Sequence, residues 1–433
     1  MSEPMRDRGL RSLPTAPVRH GRLGASRAWK TVLGVLAASM AVVLVSTVSV
    51  GAITLAQINA NIDVVQLEVL EGEEERVIPT VGDWEGGFNV LLTGIDNEPG
   101  QADARARDGA TLNDVNIVMH VSEDQLSAVV VSIPRDMVVP IPSCPDPDGD
   151  GASFAMSAQP MNVAWSYGGL NCVLLTVEAL TGLTIPYAGA ISFNGVAQLS
   201  SAVGGVDVCI DAPIKDPYTG LDLPSAGTHS LEGGTALAFL RTRYGVGDGS
   251  DLGRISNQQV YMSSLMRKVQ NEGVLTDFPK LYGLAQVAAS SMKLSDSLTP
   301  DAMVSMAQAL RKVPIENITF VQYPGRTGGT GVFSGKVQPI TSAATALFDR
   351  IRNDERFTLE AGNTGVGSTE DTNVAVEAPA VDEAPAETMP PKNGKVVPVV
   401  EPTLEPVAPE VPVAVLPNVQ GQTAADRTCS VSN

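Results

Sequence analysis

The sequence predicts an α/β fold: a three-layer α-β-α sandwich with a central mixed sheet, preceded by one N-terminal transmembrane helix. Three observations predict it. Short β-branched apolar runs recur, such as FNVLLTGID (88–96) and LSAVVVSI (126–133), with the length and residue types of buried strands. Segments with helical spacing alternate with them, as in VLLTVEALTGL (173–183), and such alternation favours helices layered on a sheet over a bundle. Ahead of both lies TVLGVLAASMAVVLVSTVSVGAITLAQI (31–58), which has no charged residue.

The elements follow in order. Residues 1–30 carry Arg6, Arg8, Arg11, Arg19, Arg22, Arg27 and Lys30 against only Glu3 and Asp7. At about 1.5 Å per residue the run 31–58 crosses a hydrocarbon core of roughly 30 Å. A basic flank before it places residues 1–30 in the cytoplasm and everything after residue 58 outside. A cleaved signal peptide is the rival, but its apolar region is shorter, roughly 7–15 residues. The expected localisation is therefore the cell membrane, single-pass, with the large domain extracytoplasmic. Residues 59–83 read as an acidic stalk and 84–357 as the folded domain.

Within that domain, NIVMHVS (116–122) and LSAVVVSI (126–133) form a hairpin, and GGVDVCI (204–210) is a further strand. Helices are expected at 173–183, 235–243, 257–271, 300–312 and 343–352. Thr299 is the N-cap of the fourth, with Pro300 at its first position. Residues 358–433 turn rich in Pro, Val, Glu and Ala and read as a flexible tail. Cys144, Cys172, Cys209 and Cys429 lack metal-site spacing, so disulfides are expected outside the cell. Three connectivities are open. The favoured one joins Cys144 to Cys172 and Cys209 to Cys429.

The net charge of −19 opposes binding to nucleic acid. Against that background, LAFLRTRYGVGDGSDLGRISNQQ (237–259) stands out. Arg241, Arg243 and Arg254 gather around one glycine-rich loop with Asp251 and Gln258, and the planar guanidinium matches phosphate oxygens in a bidentate way. Asp96 and Asp114 each stand at a strand end. Alone, either reads first as a turn or cap residue. Together they form a carboxylate pair suited to Mg2+, which takes one or two carboxylates plus phosphate oxygens. Arg135 and Asp136, in SIPRD, read either as a structural ion pair or as part of the phosphate site. For a hydroxyl nucleophile, Asp251 is the first candidate base and Asp136 the second. GRTGGTG (325–331) lacks the GK[ST] of a P-loop. The acidic loop from Asp146 lacks the twelfth-position Glu of a calcium-binding EF-hand.

FNVLLTGID, SIPRD, MNVAWSYGGLNC, SAVGGVDV and LRTRYGVGDGSDLGRISNQQ, in that order over roughly residues 88–270, resemble the LytR-CpsA-Psr family. The resemblance implies an extracytoplasmic phosphotransferase with a prenyl-binding apolar groove. Such an enzyme joins a polyprenyl-pyrophosphate-linked glycopolymer (arabinogalactan, teichoic acid or a similar polymer) to peptidoglycan through a phosphodiester, with pyrophosphatase as a side activity. The alternative is a non-catalytic protein that binds polyprenyl phosphate or scaffolds wall assembly. The implied cofactor is Mg2+, with Mn2+ as its substitute, on Asp96 and Asp114. The implied catalytic set is Arg135, Arg241, Arg243, Asp251, Arg254 and Gln258, with all but Asp251 also contacting substrate. The implied partners are the lipid-linked glycopolymer, peptidoglycan and the membrane, with no nucleic acid. The chain departs from the family pattern where Glu98, Leu112, Pro160 and Asn257 occupy positions that are often basic.

Overall fold

The structure is a computed structural model that describes residues 29, 33–37, 39–40, 63–67, 86–96, 111–147, 149, 151–371 and 413–433. Residues 1–60 and 61–433 form separate units. The described residues of the first unit are helical. Among the described residues no helix is long and apolar enough to cross a membrane. Most of the run 31–58, on which the membrane anchor was expected, lies outside the described residues.

The second unit runs through β1 (Asp63–Val65), β2 (Phe88–Ile95), β3 (Asn113–Val121), β4 (Ala128–Ile133), β5 (Val138–Ile141), β6 (Met156–Pro160), α1 (Trp165–Thr181), β7 (Tyr187–Ser192) and α2 (Phe193–Ala202). It continues through β8 (Val206–Ile210), β9 (Gly227–Leu231), α3 (Gly233–Arg241), α4 (Asp251–Asn271), α5 (Phe278–Ser290), β10 (Met292–Ser295), α6 (Pro300–Leu310) and β11 (Ile318–Gln322). The last elements are α7 (Thr341–Arg352), β12 (Phe357–Leu359), β13 (Ser368–Glu370), β14 (Ala414–Leu416), β15 (Gly421–Thr423) and β16 (Thr428–Ser430).

Eight strands make the central sheet in the order β1-β10-β7-β2-β3-β4-β11-β15. The sheet is mixed, as expected. β2 is antiparallel to β3 and parallel to β7, and β4 is parallel to β11. Side-chain parity sorts the two faces. Leu91, Ile95, Val129 and Val131 join one core with Val173 and Leu174 of α1 and Leu347 and Phe348 of α7. Phe88, Val90, Ala128 and Val130 join another with Ala289 of α5 and Met306 of α6. Helices therefore cover both faces, which is why every residue of β4 is buried. A four-stranded sheet, β9-β8-β16-β13, packs its own core on α3 and α4.

Local chemistry explains the helix ends. Thr299 accepts from the Ala302 N–H and caps α6 as expected. Gly182 ends α1 in the left-handed region, at φ 66°. Inside α1, Gly169 also has positive φ, and a Cβ on Gly168 would lie 3.0 Å from the Cβ atoms of Cys144 and Cys172. That glycine gives the Cys144–Cys172 disulfide room to close.

Two expected boundaries move. Residues 63–65, expected in the stalk, form β1, which pairs with β10 and carries an Asp63–Lys293 ion pair of 2.8 Å. The expected tail, 358–433, is folded over 358–371 and 413–433. β15 covers the open edge of β11, and β16 inserts beside β8, where Cys209 and Cys429 are bonded. An added strand and a covalent tie hold this segment despite its composition. The Pro-rich remainder, 372–412, lies outside the described residues.

Candidate functional site

Chain geometry brings distant residues to one place. β2 and β3 lie side by side, so Asp96 and Asp114 arrive at the same sheet end. The Asp96 N–H donates to the Leu112 carbonyl at 3.2 Å, and the Leu112 N–H donates to Asp96 Oδ1 at 2.8 Å. Leu112 thus holds Asp96 with its backbone. β4 delivers Arg135 and Asp136 at its end. α3 ends at Arg241, and Arg243 follows in the loop.

The first turn of α4 supplies Asp251 and Arg254. This helix starts six residues before the expected position because Ser250 caps it by accepting from the Gly253 N–H. Its first two turns carry Asp251, Arg254, Asn257 and Gln258 on buried positions, so the apolar periodicity that marks a helix is missing there.

These residues interlock. Arg135 Nη1 donates to Asp114 Oδ1 at 2.7 Å, and the Arg135 N–H donates to Asp251 Oδ2 at 3.0 Å. Arg254 Nη2 lies 2.7 Å from Asp251 Oδ1 and donates to the Asp114 carbonyl at 2.7 Å. Arg243 Nη2 approaches Asp136 Oδ2 at 3.6 Å, and Lys336 donates to Asp136 Oδ1 at 3.1 Å. The Arg241 guanidinium stacks over the Phe193 ring at 3.8 Å. Gln258 Nε2 donates to the Leu240 carbonyl at 2.9 Å, which fastens the end of α3 just before Arg241.

Burial alone would lower the Arg135 pKa, but the Asp114 and Asp251 carboxylates reverse this and raise it. Arg254 is more deeply buried, and there desolvation prevails and pulls its pKa down despite Asp251. Among the described residues the buried Nε atoms of Arg135, Arg243 and Arg254 have no hydrogen-bond partner, although Arg135 Nε lies 3.7 Å from Asp251 Oδ1.

A cavity of about 600 Å³ opens at this cluster. Its lining includes Asp114, Arg135, Arg241, Arg243, Arg254 and Gln258 together with apolar residues such as Leu92, Ile117, Val196, Leu199, Leu240 and Leu265. Asp96 and Asp251 are buried, and neither they nor Asp136 are among the residues that line the cavity. A larger cavity of about 780 Å³, near His120 and Asp354, contains none of these residues. Asp96 and Asp114 are both buried at this sheet end and carry hard oxygens of the kind Mg2+ takes, with Asp114 Oδ1 held by Arg135 and Asp96 Oδ1 by the Leu112 N–H.

Two residues with a part in this geometry escaped the sequence reading. Asp216, buried, accepts from Thr242 Oγ1 at 2.6 Å and from the Arg243 N–H at 3.3 Å. Burial would raise its pKa, but these bonds outweigh it and hold the carboxyl below the usual range. The Asp-Pro turn at 216–217 was its only sequence signal. Ser430, from the expected tail, donates to Asn257 Oδ1, while Asn257 Nδ2 donates to the Phe239 carbonyl at 2.7 Å. Asn257 therefore joins α4 to α3 and β16, a task an arginine could not share in a fully buried position.

Similarity to known proteins agrees with this geometry. Cell wall biosynthesis protein LcpA of Corynebacterium glutamicum is 30% identical over 282 residues, 59% of this chain and 54% of LcpA. The chain thus spans about half the length of that relative. The polyisoprenyl-teichoic acid–peptidoglycan teichoic acid transferase TagT of Bacillus subtilis is 26% identical over 339 residues, 76% of this chain and 97% of TagT. The crystal structure of a Streptococcus agalactiae protein shares the fold at a TM-score of 0.50, with 22% identity over 62% of this chain and 88% of that one. The model of the LytR_cpsA_psr family matches residues 55–348. With more than half its length matched, the chain belongs to the LytR-CpsA-Psr family.

Proposed function

We propose that this protein is an extracytoplasmic phosphotransferase that moves a glycopolymer from a polyprenyl pyrophosphate carrier to peptidoglycan. One observation carries the reading: a largely apolar cavity of about 600 Å³ whose lining includes Arg135, Arg241, Arg243 and Arg254 together. A lipid-linked pyrophosphate has that same division, an anionic head on an apolar chain. The relatives' names, a cell wall biosynthesis protein and a teichoic acid transferase, support the same direction.

In the proposed reaction a peptidoglycan hydroxyl attacks the phosphorus that carries the sugar. A P–O bond to the carrier breaks, a phosphodiester forms and polyprenyl phosphate leaves. Phosphoryl transfer rests on positioning and charge neutralisation. Arg135, Arg241 and Arg243 bind and orient the pyrophosphate oxygens. Asp251 holds Arg135 and Arg254 in place, and Gln258 sets the end of α3. Asp136, less buried than Asp251 and paired with Arg243 of the cavity lining, is the candidate to take the hydroxyl proton. Mg2+ on Asp96 and Asp114 would neutralise developing charge on the phosphates. The run 31–58 would hold the domain at the membrane surface, where the carrier resides.

The direct test is binding of geranylgeranyl pyrophosphate to the full chain in detergent with Mg2+. Saturable binding that Arg241→Ala weakens by at least tenfold is expected. Equal affinity for geranylgeraniol, which lacks phosphate, would sink the reading.

A further inference from the structure

Tyr218 and Tyr244 are large aromatics that the fold leaves 77% and 62% exposed. Their ring centroids lie 4.8 Å apart with planes inclined at 40°. Both border the 600 Å³ cavity, and Tyr244 directly follows Arg243. Single exposed aromatics are ordinary, but a contacting pair at the mouth of a cavity marks a binding surface.

Their backbones are fixed although their rings are open. The Tyr218 N–H donates to Asp216 Oδ1 at 2.9 Å, and Asp216 Oδ2 holds Thr242 and Arg243. The Tyr244 carbonyl accepts from Asn433 Nδ2 at 3.1 Å. Asp216 therefore ties the tyrosine pair to the arginine segment as one unit.

Position along the cavity identifies the ligand class. On α4, Arg254, Gln258, Met262 and Leu265 follow one another along the cavity wall. Leu265 lies eleven positions after Arg254, about 16 Å along the helix. The charged end and the apolar end are thus distinct, and the tyrosines stand at the charged, open end. If the proposed function holds, the pyrophosphate sits at the arginines and the prenyl chain runs inward. What projects outward past the phosphates is sugar.

We propose that Tyr218 and Tyr244 form a stacking platform for a pyranose ring at the reacting phosphate. The C–H face of a pyranose packs on an aromatic face, while its hydroxyls remain in water. This deepens the proposed function and rests on it for the sugar's source. The ring belongs either to the first sugar of the donor or to the acceptor glycan.

The test uses the full chain in detergent with Mg2+ and three probes: geranylgeranyl pyrophosphate, the same lipid carrying N-acetylglucosamine on its pyrophosphate, and a peptidoglycan disaccharide. Calorimetry gives each Kd for the wild type, Tyr218→Ala, Tyr244→Ala and the two Phe variants. A fall of roughly 3- to 10-fold in the preference for sugar-bearing over sugar-free lipid in the Ala variants supports a donor platform. A similar loss of disaccharide affinity supports an acceptor platform. In either case the Phe variants retain the wild-type behaviour. Equal weakening of both lipids with unchanged disaccharide binding overturns the proposal, as does loss in Phe matching loss in Ala. If the wild type binds neither lipid, the phosphotransferase reading fails. The disaccharide then decides alone, with binding lost in the Ala variants supporting a sugar platform and no binding refuting it.

Discussion

At the scale of single residues, the site depends on carboxylates that hold arginines still. Asp251 and Arg254 have side chains only 2% and 5% exposed and meet at 2.7 Å. Removing one charge leaves the other buried without compensation, which typically costs about 3–5 kcal/mol. Asp251→Asn should therefore lower the melting temperature as well as activity. A variant that loses activity at unchanged melting temperature would instead mark Asp251 as a base. Arg241 differs, because its guanidinium borders the cavity and stacks on Phe193. Arg241→Ala should reduce transfer by about 10²–10³-fold with little change in melting, as for loss of one electrostatic donor to a reacting group. Arg135, Arg241, Arg243 and Arg254 were legible in the sequence because paired arginines stand out in an acidic chain. Asp216 was not, since a lone Asp before Pro resembles any turn.

At the scale of elements, two long-range ties set the site. The Cys209–Cys429 bond closes a separation of 220 residues and seats β16 between β8 and β13. The residues after β16 then reach the arginine loop. The Gly247 N–H donates to the Val431 carbonyl at 2.9 Å, and the Asn433 N–H donates to the Gly245 carbonyl at 3.2 Å. A disulfide closing so large a loop contributes on the order of 4 kcal/mol. Cys429→Ser should thus destabilise the fold and loosen the Arg243 loop, seen as faster amide exchange at Gly245 and Gly247. Unchanged exchange there would show that the loop stands without this segment. Composition hid this element, because the Pro-rich stretch before it reads as tail throughout and strand pairing across 220 residues leaves no local signal.

His120 ties β3 to its surroundings in a second way. Its Nδ1 faces Asn89 Oδ1 and its Nε2 faces Asp354 Oδ1, both at 2.9 Å. Burial holds its pKa below the ordinary value, although Asp354 pulls upward. The unfolded chain then takes up a proton first, as pH falls through about 6.5. The stability from the neutral ring is present above that pH and is lost as pH falls toward the folded value. His120→Gln should flatten this part of the stability-versus-pH curve. An identical slope in the variant would contradict the assignment.

At the scale of the whole molecule, the α/β class and the mixed sheet were legible because β-branched runs and helical spacing alternate along the chain. The edge strands were not. β1 has three residues, and β15 owes its place to β11 rather than to its own sequence. The same balance holds for the cavity, whose apolar wall uses residues that look like any core. Its meaning comes from where the fold puts the arginines, at one end of an apolar space on a domain proposed to stand at a membrane. Transfer is therefore the property to measure. The full chain, Mg2+, a saccharide-bearing polyprenyl pyrophosphate and peptidoglycan oligosaccharides should yield a phosphodiester-linked product by mass spectrometry, and Arg241→Ala and Arg135→Ala should each cut its rate of formation by about 10²-fold or more. Product formed at the wild-type rate by both variants, or polyprenyl pyrophosphate left intact by the wild type, would contradict the assignment of this arginine-headed cavity as the site of transfer.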